Sequence, residues 1–290
     1  MSAATAIDHA DTPLEALIDL DRFPLHRPDH RRVLIADCRD QLDRLGCARL
    51  PGFVRPEAVA AMAAESRALA PRAHFNSGRT NPYNTAGDPD LPEHHPVNTF
   101  GDRSNGFVAG DLIGTGTAIR RLYHAPAFQR FLAATMGVER LYEYADPLAG
   151  LVINVLRPGC QHPWHYDTNE FVVSMLTQAP EAGGDFEYCP GIRSPQDECY
   201  DEVARVLQGD RAAVRTPSLQ PGDLQIFYGR YSLHRVDRVA GERERHSVIF
   251  GYAREPGMIG RATRTRRLFG RVAPIHERRD AVRRSDTLAD

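Results

Sequence analysis

The string HPWHYDTNE, residues 162–170, holds a histidine and a carboxylate two positions apart, His165 and Asp167. On an extended segment such residues point to the same side. An imidazole and a carboxylate aimed one way supply two protein ligands of a metal site. The third has to come from a segment distant in the chain and adjacent in a rolled sheet. His234, in GRYSLHRV just after the apolar run LQIFY, meets that description. Two histidines and one carboxylate on one face of an octahedron leave three positions open, which suits redox chemistry at Fe(II) and differs from a closed structural zinc site. An HxD pair by itself is more often a polar surface cluster, so the weight rests on the combination.

A second set lies beyond His234. Arg245 opens the run RHSVIFGY, and Ser247, two residues on, shares its face. A guanidinium beside a hydroxyl is a clamp for one carboxylate of a dicarboxylic co-substrate, and a charge-assisted hydrogen bond of this kind contributes about 1.5–3 kcal/mol. Arg243 has the same parity and competes for the role, although it lies nearer the turn GERE. Asn154, inward on LVINVL, could offer the same co-substrate a hydrogen bond, against the plainer reading of a satisfied core asparagine. Trp164, the sole tryptophan, reads as core packing. His94 and His95 sit in a Pro-rich loop, where a second metal site is the lesser reading. GTGTAI at 114–119 lacks the third glycine and the preceding strand of a nucleotide loop.

Other chemistries are excluded by composition. All 36 basic residues among the 290 are arginine, so Schiff-base, P-loop and kinase-type lysines are absent. The net charge of −2 gives no field toward nucleic acid or an anionic membrane. Five cysteines without a CxxC pair read as free thiols of a reducing, cytoplasmic compartment. The first twenty residues lack the basic and apolar regions of a signal peptide, and no apolar run is long enough to span a membrane.

The elements that must position these residues change character along the chain. Residues 1–28 read as a loose arm. Over 29–140 helical spacing dominates. One helix is capped by Asp29 and stopped by Gly46, a second opens at Pro56 and a third at Pro126, with the short strand CARLPGFV between the first two. The segment from His74 to Asn98 shows no periodicity and reads as a long loop. From 141 to 255 come short apolar or alternating runs: LVINVL, FVVSML, DFEYC, AAVRT, LQIFY and SVIFGY. Bounded by RPG, AGG and QPGD, they argue for an antiparallel sandwich or barrel, interrupted by one helix starting at Ser194-Pro195. Residues 256–290 are Arg-rich and read as a solvated face, with a lid over the site mouth as the alternative. The expectation is an α+β chain, mainly β in its core, forming one domain.

HxD, a distant histidine and then Arg-x-Ser resemble the Fe(II)/2-oxoglutarate-dependent dioxygenases over roughly residues 141–255. The longer string HPWHYDTNEFVVSMLTQAPEAGGDFEYCPGIR, with SNGFVAGDLI, resembles the branch holding free-amino-acid radical halogenases and their hydroxylase relatives. The resemblance implies a double-stranded β-helix, a cupin-like jelly roll, with a helical N-terminal layer. It implies iron on His165, Asp167 and His234, and 2-oxoglutarate paired with Arg245 and flanked by Ser247 and Asn154. O2 is the second co-substrate. His162 and Thr168 become substrate contacts beside the iron, against the reading of solvated loop residues, and the chemistry is iron-centred with no separate acid or base. In the halogenases of that branch a small residue replaces the carboxylate and leaves room for halide. Asp167 therefore implies hydroxylation of an sp3 carbon of a small polar metabolite, a free amino acid. The alternatives are desaturation or cyclisation at the same site, a substrate that is not an amino acid, and a non-catalytic cupin-like binding module. Assembly into a homo-oligomer stays open.

Overall fold

The structure, a computed structural model, describes residues 14–278. Its short apolar runs become strands at Cys47–Leu50 (β1), His74–Phe75 (β2), Gly106–Val108 (β3), Leu151–Leu156 (β4), His162–His165 (β5), Val172–Gln178 (β6), Phe186–Cys189 (β7), Leu224–Phe227 (β8), Leu233–Val236 (β9) and Arg245–Phe250 (β10). Seven form one antiparallel sheet in the order β1-β8-β6-β10-β4-β3-β2, and three form another in the order β7-β9-β5. From β4 to β10 successive strands fall alternately in the large and the small sheet. The chain thus winds around an interior that both sheets face, the double-stranded β-helix. Phe186 of the small sheet and Phe227 of the large one meet across it with ring centroids 5.1 Å apart.

The other face of the large sheet is covered by helices Pro28–Leu45 (α1), Pro56–Leu69 (α2), Ala118–His124 (α3) and Pro126–Thr135 (α4). Val173 and Met175 of β6 pack outward with Met62, Phe128 and Phe131, while Val172 packs inward with Phe186 and Val236. A strand buried on both faces reads as a continuous apolar run rather than an alternating one, which is why LVINVL is buried at every position. Pro56 and Pro126 each open their helix as the sequence suggests, and Gly46 ends α1 with φ 70°.

Several expectations need correction. Pro28 starts α1 after Arg27, so Asp29 lies in the first turn and caps nothing. The arm is not loose where it is described: Leu17, Ile18, Phe23 and Leu25 are buried, and Ile18 bridges to Val54. Its first thirteen residues lie outside the described residues. The strand expected over CARLPGFV forms as β1 and stops at Leu50, where Pro51 and Gly52 turn the chain, and the helical layer also contributes β2 and β3, which are too short to show a period. The helix expected from Ser194 begins at Tyr200 (α5, Tyr200–Leu207). Ser194 and Asp197 instead exchange backbone hydrogen bonds, and Cys199 at φ 49° breaks the helical path before it. AAVRT is no strand. Asp210 accepts from the Ala212 N–H in a turn, and Arg215 alone bridges to Tyr188.

The loop from His74 to Asn98 holds two short pairings, and Asn81 organises its centre. Its side-chain oxygen accepts from the N–H groups of Tyr83 and Thr85, and its amide donates to the carbonyl of Val97. Pro82 then accepts from the N–H of Tyr166, between His165 and Asp167. The C-terminal segment forms two helices, Ala262–Phe269 (α6) and Pro274–Arg278 (α7); residues 279–290 lie outside the described residues. Among the described residues no helix is long and apolar enough to cross a membrane.

Candidate metal centre

The antiparallel register of β5 and β9 sets His165 directly opposite His234, with ring centroids 4.1 Å apart. Asp167 lies just past the end of β5, where its N–H donates to the carbonyl of Gly229 at 3.1 Å. Its carboxylate reaches to 3.0 Å from His234 Nε2 and 4.0 Å from His165 Nε2. One ligand atom from each of the three lies within 4.8 Å of the others. The structure thus brings together the three residues singled out in the sequence.

Their protonation suits a metal. His165 Nδ1 sits 2.7 Å from the carbonyl of Pro163, and His234 Nδ1 2.9 Å from that of Ser232. A ring nitrogen facing a carbonyl oxygen carries a proton, which leaves each Nε2, on the side of Asp167, as the nitrogen a metal would take. Burial, and then the neighbouring His234, push His165 down to about 3. Burial alone would raise the Asp167 carboxyl, but the His234 imidazole beside it outweighs that and holds it ionised. Neutral imidazoles and a carboxylate are the donor forms that a divalent cation requires, so these residues fit an iron.

Gly229 seats this group. A Cβ there would stand 2.7 Å from Asp167 Oδ2 and 2.7 Å from Val172 Cγ2, closer than nonbonded atoms pack. Gly229→Ala should displace the carboxylate and weaken Fe(II) or Co(II) binding by about 10–100-fold, the range for residues that orient ligands. Titration of the metal-free protein with Co(II) measures it, and unchanged affinity would show that Asp167 tolerates the shift. The opposite side is held by Arg193, whose side chain is wholly buried with its charge 3.7 Å from the Tyr166 ring centre. Arg193 donates Nε–H to the carbonyl of Arg230 at 2.7 Å and pairs with Glu198 at 2.9 Å. Neither Gly229 nor Arg193 was singled out in the sequence; a glycine in the turn five residues before His234 was the available signal.

Arg245 is buried and donates to Ser247 Oγ at 3.1 Å. Burial pushes its guanidinium down to about 10, which leaves it cationic at neutral pH. It lines a cavity of about 220 Å³ with Leu176, Gly184, Asp185 and Phe186, and the Phe186 ring lies 5.9 Å from that of His234. Cross-strand pairing puts Ser247 opposite Asn154 on the interior face. Arg243 is exposed and donates to the carbonyls of Ala179 and Pro180, so the fold directs it away from the interior. Asn154 is buried, and its Oδ1 accepts from Asn105 Nδ2 at 2.9 Å.

His162 stacks on His165 with centroids 3.7 Å apart and meets the Phe107 ring edge-on. It therefore belongs to the interior and is not a solvated loop residue. Burial, with His165 and Arg103 adding to it, drives its imidazole well below the ordinary range. Thr168 is half-buried at the rim, where its carbonyl faces Arg230. Trp164 packs against the cluster of Tyr83, Tyr166 and Leu233, with Arg235 over its ring at 4.7 Å. His95 caps the turn at Pro96–Asn98, and GTGTAI leads into α3 with Thr117 as its cap. Arg264 and Arg267 of the C-terminal segment are half-buried rather than a solvated face. All five cysteines are free.

A family model described as Halogenase D matches residues 97–266. No curated protein sequence matches the chain. Among solved structures, AviO1 from Streptomyces viridochromogenes Tue57 is similar at 18 % identity and a TM-score of 0.53, over 75 % of this chain and 94 % of that one. A prolyl hydroxylase from Trichoplax adhaerens, solved with a hypoxia-inducible-factor peptide fragment, has 13 % identity and a TM-score of 0.51, covering 85 % and 95 %. The non-heme alpha-ketoglutarate-dependent epimerase SnoN of nogalamycin biosynthesis has 15 % identity and a TM-score of 0.51, covering 75 % and 80 %. At these identities the likeness is one of fold. The family match takes in β5 with its HxD, His234, Arg245 and the start of α6, more than half of the sequence, and by it the chain belongs to the halogenase D family.

Proposed function

We propose that this protein is an Fe(II)- and 2-oxoglutarate-dependent oxygenase that hydroxylates an sp3 carbon of a small polar metabolite, a free amino acid. The observation that supports hydroxylation is the placement of Asp167 between His165 and His234. In the halogenases this chain resembles, a small residue stands there and halide takes the vacated position; here a carboxylate fills it. Bound iron would supply O2 activation coupled to decarboxylation of 2-oxoglutarate to succinate and CO2.

The chain's own residues do the rest. His165, Asp167 and His234 would hold the metal through three protein donors, fewer than iron takes, so that co-substrate and O2 could reach it. Arg245 would pair with the far carboxylate of 2-oxoglutarate, and Ser247, which accepts from it, holds the guanidinium in place. Asn154 has its oxygen engaged by Asn105, which leaves its N–H donors for the co-substrate. Phe186 and Leu176 give the cavity beside Arg245 apolar walls, and the Phe186 ring reaches to 5.9 Å from that of His234. His162, neutral and stacked on His165, stands where it would touch the substrate; Thr168 at the rim would be a further contact. Five free thiols support a cytoplasmic setting.

Two measurements test this. Anaerobic addition of Fe(II) and 2-oxoglutarate should give a weak visible charge-transfer band, which a simple binding module would lack. Mass spectrometry of products made in excess chloride should then show an added oxygen atom. A chlorinated product from the unmodified protein would overturn the hydroxylase reading.

A further inference from the structure

AGG, residues 182–184, is no more than a turn signal in the sequence. In the fold it forms a wall of the cavity beside Arg245. Ala182 and Gly183 pair with Ala240 and Val239. The Gly184 N–H donates to the carbonyl of Arg238 at 3.2 Å, and the Asp185 N–H donates to Asp237 Oδ1 at 2.6 Å. The turn is thereby pinned, residue by residue, to the segment that leads into β10.

Neither glycine has room for a side chain. Gly183 has φ 60° and Gly184 φ 67°, the left-handed region that glycine enters freely. A Cβ on Gly183 would collide with the carbonyl of Arg238. One on Gly184 would stand 3.0 Å from Pro180 Cγ, 3.0 Å from Val239 Cγ2 and 3.1 Å from Arg245 Cδ. Carbon atoms pack at about 3.5–4.0 Å, so a methyl group there has to move a neighbour. Pro180 is a rigid ring whose carbonyl accepts from Arg243. Val239 is buried in the cluster of Leu156, Phe186 and Val236, with its N–H on the carbonyl of Cys160. Arg245 is the neighbour that can give. Its side chain has several torsions, its guanidinium rests on Ser247 Oγ, and it borders the cavity of about 220 Å³. A methyl group on residue 184 would therefore drive the guanidinium into that cavity.

We propose that Gly184 is a positioning residue: by lacking a side chain it lets Arg245 stand back, and so sets a cavity depth that selects a five-carbon 2-oxo diacid over its four-carbon homologue. The inference rests on the proposed oxygenase reading, in which Arg245 takes the far carboxylate, and deepens it by naming what fixes co-substrate length. In that reading one end of the acid meets the metal and the other meets Arg245. A pocket of one depth then suits one chain length. A shorter acid stops short of the charge, and a longer one has to bend.

Calorimetric titration of the anaerobic Fe(II)-loaded protein with 2-oxoglutarate, oxaloacetate and 2-oxoadipate tests it. The unmodified protein should bind 2-oxoglutarate about tenfold or more tightly than either homologue, the effect of one methylene group in a fitted pocket. Gly184→Ala should weaken 2-oxoglutarate by about tenfold, the equivalent of one charge-assisted hydrogen bond, and oxaloacetate by less than about threefold. Backbone strain at φ 67° acts on both acids alike and cannot narrow the preference. Gly191→Ala is the control, since Gly191 has φ 57° with open space around it; its preference should equal that of the unmodified protein. Gly184→Ala with Val239→Ala vacates the position of Val239 Cγ2 and should win back part of the preference, although the lost buried methyls lower the melting temperature further. A purely structural defect would instead worsen in both measurements. Equal affinity for the three acids in the unmodified protein overturns the inference. So does a Gly184→Ala protein that keeps the full preference or weakens both acids equally. Where that variant does not fold, the double variant, relieved of one contact, carries the test: its preference should be narrower than that of the unmodified protein, and an unchanged one overturns the inference. A charge-transfer band with 2-oxoglutarate in the unmodified protein leaves the oxygenase reading standing through any of these results; absence of the band defeats that reading itself.

Discussion

Replacing His165, Asp167 or His234 with alanine should abolish metal-dependent turnover while the protein stays folded. Each contributes one donor to a group whose atoms lie within 4.8 Å of one another, so removal takes away a bond to the metal, not merely its orientation. The loss should exceed the roughly 100-fold at which outer residues such as Gly229 stop. Metal content of the purified variants and substrate-dependent succinate formation measure it, with thermal melting as the control for folding. The fold should survive because Phe186, Phe227, Val172 and Val236 join the two sheets by apolar packing that does not need the ligands. If Asp167→Ala retained iron and full turnover, the carboxylate would not be a ligand.

Arg245→Gln should raise the 2-oxoglutarate concentration needed for half-maximal turnover by about 10–100-fold, which corresponds to losing roughly 1.5–3 kcal/mol of charge-assisted hydrogen bonding. Glutamine keeps the volume and a donor, so the cavity beside Phe186 and Leu176 remains filled. The maximal rate should change far less than the requirement, because the group removed acts on the remote carboxylate and not at the metal. Arg243→Gln should leave the requirement unchanged, since that side chain is exposed and bonded to the turn at Ala179 and Pro180. Steady-state titration of the two variants settles the order, and a larger effect at Arg243 would move the clamp there.

Much of this protein could be read from local pattern. His165 and Asp167 are two residues apart on an extended segment, so their common direction follows from strand geometry alone. LVINVL and LQIFY are apolar throughout because strands packed on both faces have no polar side, and Pro56, Pro126 and Gly46 mark helix ends through backbone constraints that act within a residue or two. Local pattern failed where a tertiary partner outweighs propensity. AAVRT has the composition of a strand, yet Asp210 folds it into a turn. The helix expected at Ser194 is delayed by a reciprocal turn and by the left-handed Cys199. Arm residues such as Ile18 are buried only because a helical layer exists to receive them.

The choice between Arg245 and Arg243 shows the division most clearly. Both have the parity of an inward residue, and only the start of β10 at Arg245, paired with Leu156, decides which one enters the interior. The same holds for the arginines of α6. In the sequence they are part of an Arg-rich tail without a period; in the fold Phe269 anchors their helix on Phe107, the ring over which Arg103 lies. Residue types and short spacings determine which chemistry is available and which way a strand or helix faces, because those depend on bonds and torsions a few residues long. Which distant charges share one enclosed space is decided by the winding of the two sheets and the docking of the last helices, because burial and Coulomb interaction depend on distance in space and not along the chain.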